Sequence, residues 1–423
     1  MKSTLRSGLL TLALLTLGCG GSTSDNLGVQ TPTLASLTVT PASARLLSGQ
    51  TLQFTATATA SDGRSGDVTS LSTWASSNNS AVTIVGNTGL ATAQSITQVV
   101  PALTATITAA FQNLNASTSL RLIPATGTIQ RLTTGLTAAA GPTCICTGPD
   151  GNLWFTENGT SSIGRINPTT GEITEFSGLS GVRRPNFICA GPDGNLWFTI
   201  GSIDRIGRIT PAGVITEFST GISAKSYPYG ICAGPDGNLW FTEIDTNLIG
   251  RITPAGVVTE FPVPTAGVEP FQICSGPDGN LWFTEHVGNR IAKITTAGVV
   301  TEFSGLTANS GPDGICAGPD GNLWFTERDR DAIGQITTAG VISEFSAGIT
   351  AGALPHTITP GPDGNFWFVE LAGRIGRITP GSDVTEFTGP LTNNSIPFAI
   401  TPGPDGNLWF TELVGNSVDV LVP

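Results

Sequence analysis

From residue 34 onward the chain alternates apolar and polar positions in short runs broken by Gly, Pro, Asn and Asp. A period of two with such breakers predicts strands joined by tight turns. No segment of helical period follows the first 18 residues, so the expected fold class is all-β.

The runs form a repeat. The octapeptide GPDGNLWF, or a near copy, starts at Gly148, Gly191, Gly234, Gly276, Gly318, Gly361 and Gly403, at intervals of 42 or 43 residues. Such a period, built from short strands and Asp-Gly turns, predicts a β-propeller with one four-stranded blade per repeat. Residues 228–261 show the plan: PYGICAG is strand A, Pro235-Asp236-Gly237 turns the chain, NLWFTE is strand B, IGRIT strand C and VVTEF strand D. Gly237 supplies the positive φ of the A–B hairpin. Strands A, B and C occur seven times but strand D only six, and GTIQRLTTG at 127–135 aligns with GVITEFSTG at 213–221. The expectation is a seven-bladed ring over residues 125–423 in which residues 128–133 complete the last blade, leaving no open sheet edge. Across strands C and D, Arg165 and Glu175 are expected to face each other, with Val420 and Arg131 in those places in the last blade.

The N-terminal part differs. Residues 1–18 place Lys2 and Arg6 before the apolar run Leu9 to Leu17, an export signal too short to span a membrane. LTLGC resembles a bacterial lipoprotein box, which implies lipidation of Cys19, a tether over residues 19–33 and a location in the cell envelope, periplasmic or at the surface. Residues 34–124 read as a small β-sandwich with Trp74 in its core. Through LTVTPASA, SDG, TWASSNNS and SLRLIP this segment resembles the bacterial immunoglobulin-like group 2 domain, which implies a spacer or adhesion module.

Charge narrows the partners. Nineteen basic against 31 acidic residues give a net charge of −12, which removal of Lys2 and Arg6 takes to −14 (−12 − 2). Such a chain repels nucleic acid and anionic membrane surfaces, so membrane association would run through the lipid alone. Cys146, Cys189, Cys232, Cys274 and Cys316 repeat at one place in five blades, with Thr359 and Thr401 there in the other two. With no CxxC pair, they read as small buried thiols or as disulfides between blades, not as a metal centre. Cys144 breaks the pattern and is placed at the channel mouth.

Through GPDGNLWFTE, IGRIT, ITEF and the PHTIT of residues 355–359, the propeller resembles the virginiamycin B lyase family. That resemblance covers about 300 residues and implies a C–O lyase that opens a cyclic depsipeptide with Mg²⁺ held by two Glu and a general-base His. Carried over residue by residue, the family's substrate-binding His falls on His356. Its base falls on Phe398, one metal Glu on Ile396, and the other near Leu413, with Glu412 one position off. Phe takes no proton and Ile binds no cation, so lyase activity and Mg²⁺ are expected to be absent unless another blade supplies them. Blade four offers Glu269 and His286 at the metal positions, but Phe271 at the base, and His286 also reads as a solvated loop histidine.

Set against one another, the blades diverge most five residues before each GPDG, at Thr143, Asn186, Tyr229, Phe271, Asp313, His356 and Phe398. These positions are expected to ring one mouth of the channel, with Arg184, Tyr227 and Glu269 as an outer rim. Aromatics, an amide, an acid and an imidazole have the makeup of a ligand pocket, while positions under no constraint would vary too. Asp313 and His356 lie on adjacent blades, where the acid would orient the ring of a general base or make a structural hydrogen bond. The WFTE glutamates (Glu157, Glu243, Glu285, Glu327, Glu370 and Glu412) recur too regularly for one active site and are read as holding loop amides or basic residues. Two function classes follow: a displayed binding protein whose hub takes a small-molecule or peptide ligand, and an ester- or lactone-cleaving enzyme.

Overall fold

The computed structural model describes residues 32–179, 184–391 and 394–423. The export signal, Cys19 and most of the tether lie outside the described residues. The chain divides into two compact units: the described residues to Ile96 with Ala102–Pro124, and Thr97–Pro101 with Ala125–Pro423. Thr97–Pro101 falls inside the span read as immunoglobulin-like, yet groups with the second unit, where the Val99 and Val100 amides both donate to Gln130 Oε1 (2.5 and 2.8 Å).

The first unit is a β-sandwich. One sheet orders Ser43–Leu47, Leu114–Ile123, Thr104–Phe111 and Thr73–Ser76; another pairs Leu34–Thr40 with Thr55–Ala60 and Ser65–Asp67. Its core holds Phe54, Val82, Ile107, Leu120 and Trp74, whose indole N–H donates to Thr69 O (3.1 Å).

The second unit is the propeller. Among the described residues the repeat region forms seven four-stranded sheets. The first runs Pro142–Thr147, Leu153–Glu157, Ser162–Ile166 and Ile173–Phe176, and the next five repeat that order. In the seventh sheet the fourth strand is Ile129–Leu132, from the other end of the region, pairing antiparallel with Ser417–Leu421.

The octapeptide owes its recurrence to one carboxylate. Asp150 Oδ1 accepts from Trp154 Nε1 (3.0 Å) and Oδ2 from Asn152 Nδ2 (2.8 Å), so one side chain fixes both the turn and the indole. The other six sheets repeat the bond to Trp. Burial alone would raise the Asp150 carboxyl, but the bonds from Asn152 and Trp154 outweigh it and hold the group below its usual value. All seven tryptophans of the octapeptides are buried between sheets.

The C–D register differs from the sequence expectation by one residue. Arg165 lies opposite Thr174 and Glu175 opposite Gly164; in the last sheet Val420 faces Gln130 and Arg131 faces Asp419. A slip of one turns a side chain to the other face of a strand. Arg165 therefore stacks its guanidinium over Trp154 and Phe176, 5.5 and 5.3 Å from their centroids, and does not pair with Glu175.

Candidate functional site: the propeller hub

Strand A lines the hub, and the WFT threonines set its height. Thr156 Oγ accepts the Cys144 amide of its own sheet (3.0 Å) and donates to Asn186 O of the next (2.6 Å). Thr199, Thr242, Thr284 and Thr326 bond likewise to the carbonyls of Tyr229, Phe271, Asp313 and His356, and Thr411 to that of Thr143, joining the last sheet to the first. The positions that diverge most are thus those whose carbonyls tie sheet to sheet. These threonines were not singled out in the sequence; their signal was the recurrence of Thr after every WF except at Val369 and its place opposite the strand A amide.

Four of the seven divergent positions share a cleft. A cavity of about 220 Å³ is lined by Thr143, Asn158, Asn186, Phe187, Tyr227, Tyr229, Phe398 and Leu413. Phe187 meets Tyr229 edge-on at 4.8 Å, and Tyr229 leans on Phe271 at 4.3 Å, so the apolar wall continues past the cleft. Asn186 Nδ2 is buried and meets no acceptor of the protein. Burial, with Asp313 next, pushes the Tyr229 phenol well above its ordinary value. A wider depression of about 600 Å³ on the first unit, lined by Arg45, Arg121 and small residues, lacks such convergent groups and is not the candidate.

Asp313 and His356 meet on the far side of the hub. His356 Nδ1 is 2.9 Å from Asp313 Oδ2, with both residues almost wholly buried. Gly314 lets their strands close up, since a Cβ there would lie 2.3 Å from His356 O. Arg328, on the B–C connection of the fifth sheet, donates to the same Asp313 oxygen (3.4 Å). His356 packs edge-on against Phe398, a wall of the cleft, at 4.5 Å.

The second histidine is half-buried, with both ring nitrogens engaged by the protein. His286 Nδ1 lies 3.2 Å from Pro312 O, which only accepts, and Nε2 lies 2.8 Å from Arg328 Nη2, which only donates. His286 is therefore the neutral Nδ1–H tautomer with no free lone pair, and with Glu269 it makes no metal pair. Among the described residues no three His, Cys, Asp or Glu side chains are grouped to hold a metal. Glu412, nearest to the family's second metal position, is buried against Arg131. The residues present do not fit Mg²⁺.

Two further expectations change. Cys144 is buried, with Sγ 3.8 Å from Ile188 O, because its side chain turns toward the neighbouring sheet and not to the channel mouth. The loop amides are held not by the WFTE glutamates but by those of strand D: Glu260 accepts from Ser223 N and Oγ (2.6 and 2.7 Å), and Glu302 from Thr265 N and Oγ (3.0 and 2.7 Å). The WFTE carboxyls lie beneath, fully buried. Some meet bases as well, as Glu327 does with Arg330 (3.6 Å). All cysteines of the described residues are free thiols. On the rim, Arg184 and Tyr227 are exposed and Glu269 is half-buried. Tyr227, Glu269, Leu354 and Ile396 hold φ of 51° to 56° where Gly141 and Gly311 serve in other sheets, a conformation that is strained for a side chain and most so for a β-branched one.

A ring of four-stranded sheets with a cleft at its hub defines a protein of the β-propeller class. The profile of the virginiamycin B lyase family matches residues 104–224 and 222–422, and the chain belongs to that family. The bacterial Ig-like domain (group 2) profile matches residues 34–119. The chain is similar to virginiamycin B lyase from Staphylococcus aureus, at 37% identity and a TM-score of 0.65 over 70% of this chain and 99% of that one. A streptogramin B lyase is similar at 34% identity and a TM-score of 0.65, covering 69% and 96%. A catalytically inactive histidine-to-alanine variant of the S. aureus enzyme, crystallised with quinupristin, is similar at 38% identity and a TM-score of 0.65, covering 70% and 99%. No curated protein matches the chain.

Proposed function

We propose that the propeller binds a small-molecule or peptide ligand in the hub cleft and does not perform the family's elimination. The observation that carries this reading is that Phe398 and Leu413, which stand where the family places its base and a metal carboxylate, both line the cleft. An apolar wall there holds a ligand by its aromatic faces and offers no group to take a proton. The export signal, Cys19 and the Ig-like domain support a lipid-anchored envelope protein that presents the hub away from a membrane; Cys19→Ser is then expected to leave the membrane fraction. Quinupristin, held by the relative, is the natural probe. The purified chain is expected to bind it without opening its ring, unaffected by EDTA, as read by titration calorimetry and mass spectrometry. Mg²⁺-dependent ring opening abolished by EDTA would overturn the proposal. Opening that survived EDTA would favour the second reading, an ester- or lactone-cleaving enzyme built on Asp313 and His356, with His356→Ala as its check.

A further inference from the structure

We propose that the seventh sheet carries a built docking site for Thr97–Pro101, and that this loop clasps the strand closing the ring, so that closure depends on the sandwich being folded. The inference is independent of what the hub binds.

Three exchanges in the seventh sheet carry the argument. In the other six sheets a strand D Phe stacks on the tryptophan, as Phe176 does on Trp154 at 5.3 Å. In five of those a basic side chain covers the pair. Beside Trp409 the place of Phe176 is taken by Leu132 and that of Arg165 by Val420. Gln130 stands where the other strands D carry Thr or Ser, as at Thr174 and Ser343. Each change alone thins the cover of a buried indole; together they fit one guest. Val99 and Val100, 6% and 3% exposed, share an apolar cluster with Trp409 and Val420, against which Leu132 packs. A Cβ on Gly171 would lie 3.3 Å from a Val100 methyl and 3.6 Å from one of Leu132, so the two side chains close over the same turn. Gln130 holds the loop's backbone: Oε1 accepts the Val99 and Val100 amides, and Nε2 donates to Val100 O (2.7 Å). One side chain thus pairs three main-chain groups of the loop, a reach that the shorter threonine lacks.

The sandwich supplies the loop with its ends already fixed. Thr97–Pro101 lies between the sandwich strands Leu90–Ala93 and Thr104–Phe111. Ile96 is buried in the sandwich core and Leu103 packs against it, so the chain is anchored on both sides of the loop. Docking then loses little further chain entropy, whereas with the sandwich unfolded the same residues must be ordered from a flexible chain. Linkage makes the dependence mutual: the folded sandwich favours the clasp by as much as the clasp favours the folded sandwich. A closing strand of four residues, Ile129–Leu132, is in this way held from its far side as well as by its pairing with Ser417–Leu421.

The test is native-state amide exchange of the full chain in low urea, read by mass spectrometry. In the parent, Ile129–Leu132 is expected to open together with Thr104–Phe111 of the sandwich and with the same urea dependence, while the outer strands Ile215–Phe218 and Val300–Phe303 do not follow. Gln130→Thr installs the residue that the same place holds in other sheets, so the strand itself is kept. It is expected to speed exchange at Ile129–Leu132 about tenfold, the worth of one to two neutral hydrogen bonds, without moving Ile215–Phe218. Val100→Ser is expected to act in the same direction from the apolar side. Unchanged protection of Ile129–Leu132 in both variants overturns the clasp, as does a closing strand that opens in the parent independently of Thr104–Phe111. The parent's urea dependence needs no variant, so misfolding of either one does not blunt the test.

Discussion

Five sheets of the repeat region and the sheet that joins its two ends bury a glutamate at the same place, the end of strand B, and they neutralise it differently. In the five, Glu157, Glu243, Glu285, Glu327 and Glu370 are pushed up to about 8, by burial first and with the strand D glutamate of the same sheet adding to it. At neutral pH each is therefore mostly protonated, an acid facing a carboxylate that is occupied by the next loop. In the joining sheet the strand D residue is Arg131, and Glu412 meets it directly while Asp419 stands 3.6 Å from Nε. Burial, and then the Glu412 charge, raise Asp419. The same buried oxygen atoms can thus be quieted by a proton or by a guanidinium. The proton is exchangeable with solvent; the guanidinium comes only with the N-terminal strand.

Deleting residues 126–134 breaks the comparison most severely. It removes the outer strand, opens a sheet edge and leaves Glu412 and Asp419 buried without their base. Loss of the cooperative thermal transition of the propeller is expected; a deletion variant melting like the parent would show that this strand is an appendage. Arg131→Met isolates the charge. It is expected to cost about 3–5 kcal/mol, the toll of unpairing buried charge, while Glu243→Gln, an amide in place of a neutral acid, is expected to stay within about 1 kcal/mol at pH 7. Urea unfolding of both variants reads the contrast, and equal losses would erase it.

The smallest effect per site is the pH dependence. Because the five folded values lie above the ordinary glutamate value of 4.5, their contribution to stability is complete below that value and is lost as pH rises toward about 8. The urea midpoint is therefore expected to fall between pH 5 and pH 8, and Gln at each of the five positions to flatten that fall by one proton's share. A midpoint that rose over this range would contradict shared-proton pairs.

Much of the fold was legible because the period, the Asp-Gly turns and the WF strand are each imposed by a local physical need. The C–D register was not: Arg in IGR and Glu in ITEF invite a salt bridge on paper, whereas the guanidinium gains more over Trp154 and Phe176. The acid pairs were hidden for the opposite reason, since two glutamates read as repulsion until burial protonates one. At the hub, comparison of the blades singled out Asp313 and His356 but not Arg328, which sits on a connection outside strand A. The off-centre cleft depends on Phe187 and Leu413, outside the aligned column.

The threonine ties also fix where the ring yields. In the sixth sheet Val369 stands in place of the threonine, and the side chain that reaches the Phe398 carbonyl is Thr357, with Oγ at 3.3 Å, against 2.6 or 2.7 Å at the five measured threonine ties. The joint between the sixth and seventh sheets is therefore the slackest at this height, although the chain ends meet elsewhere. Amide exchange should be fastest there among the inner strands. The aromatic ring at that joint is the one between cleft and imidazole, so the hub has its play at its doorway.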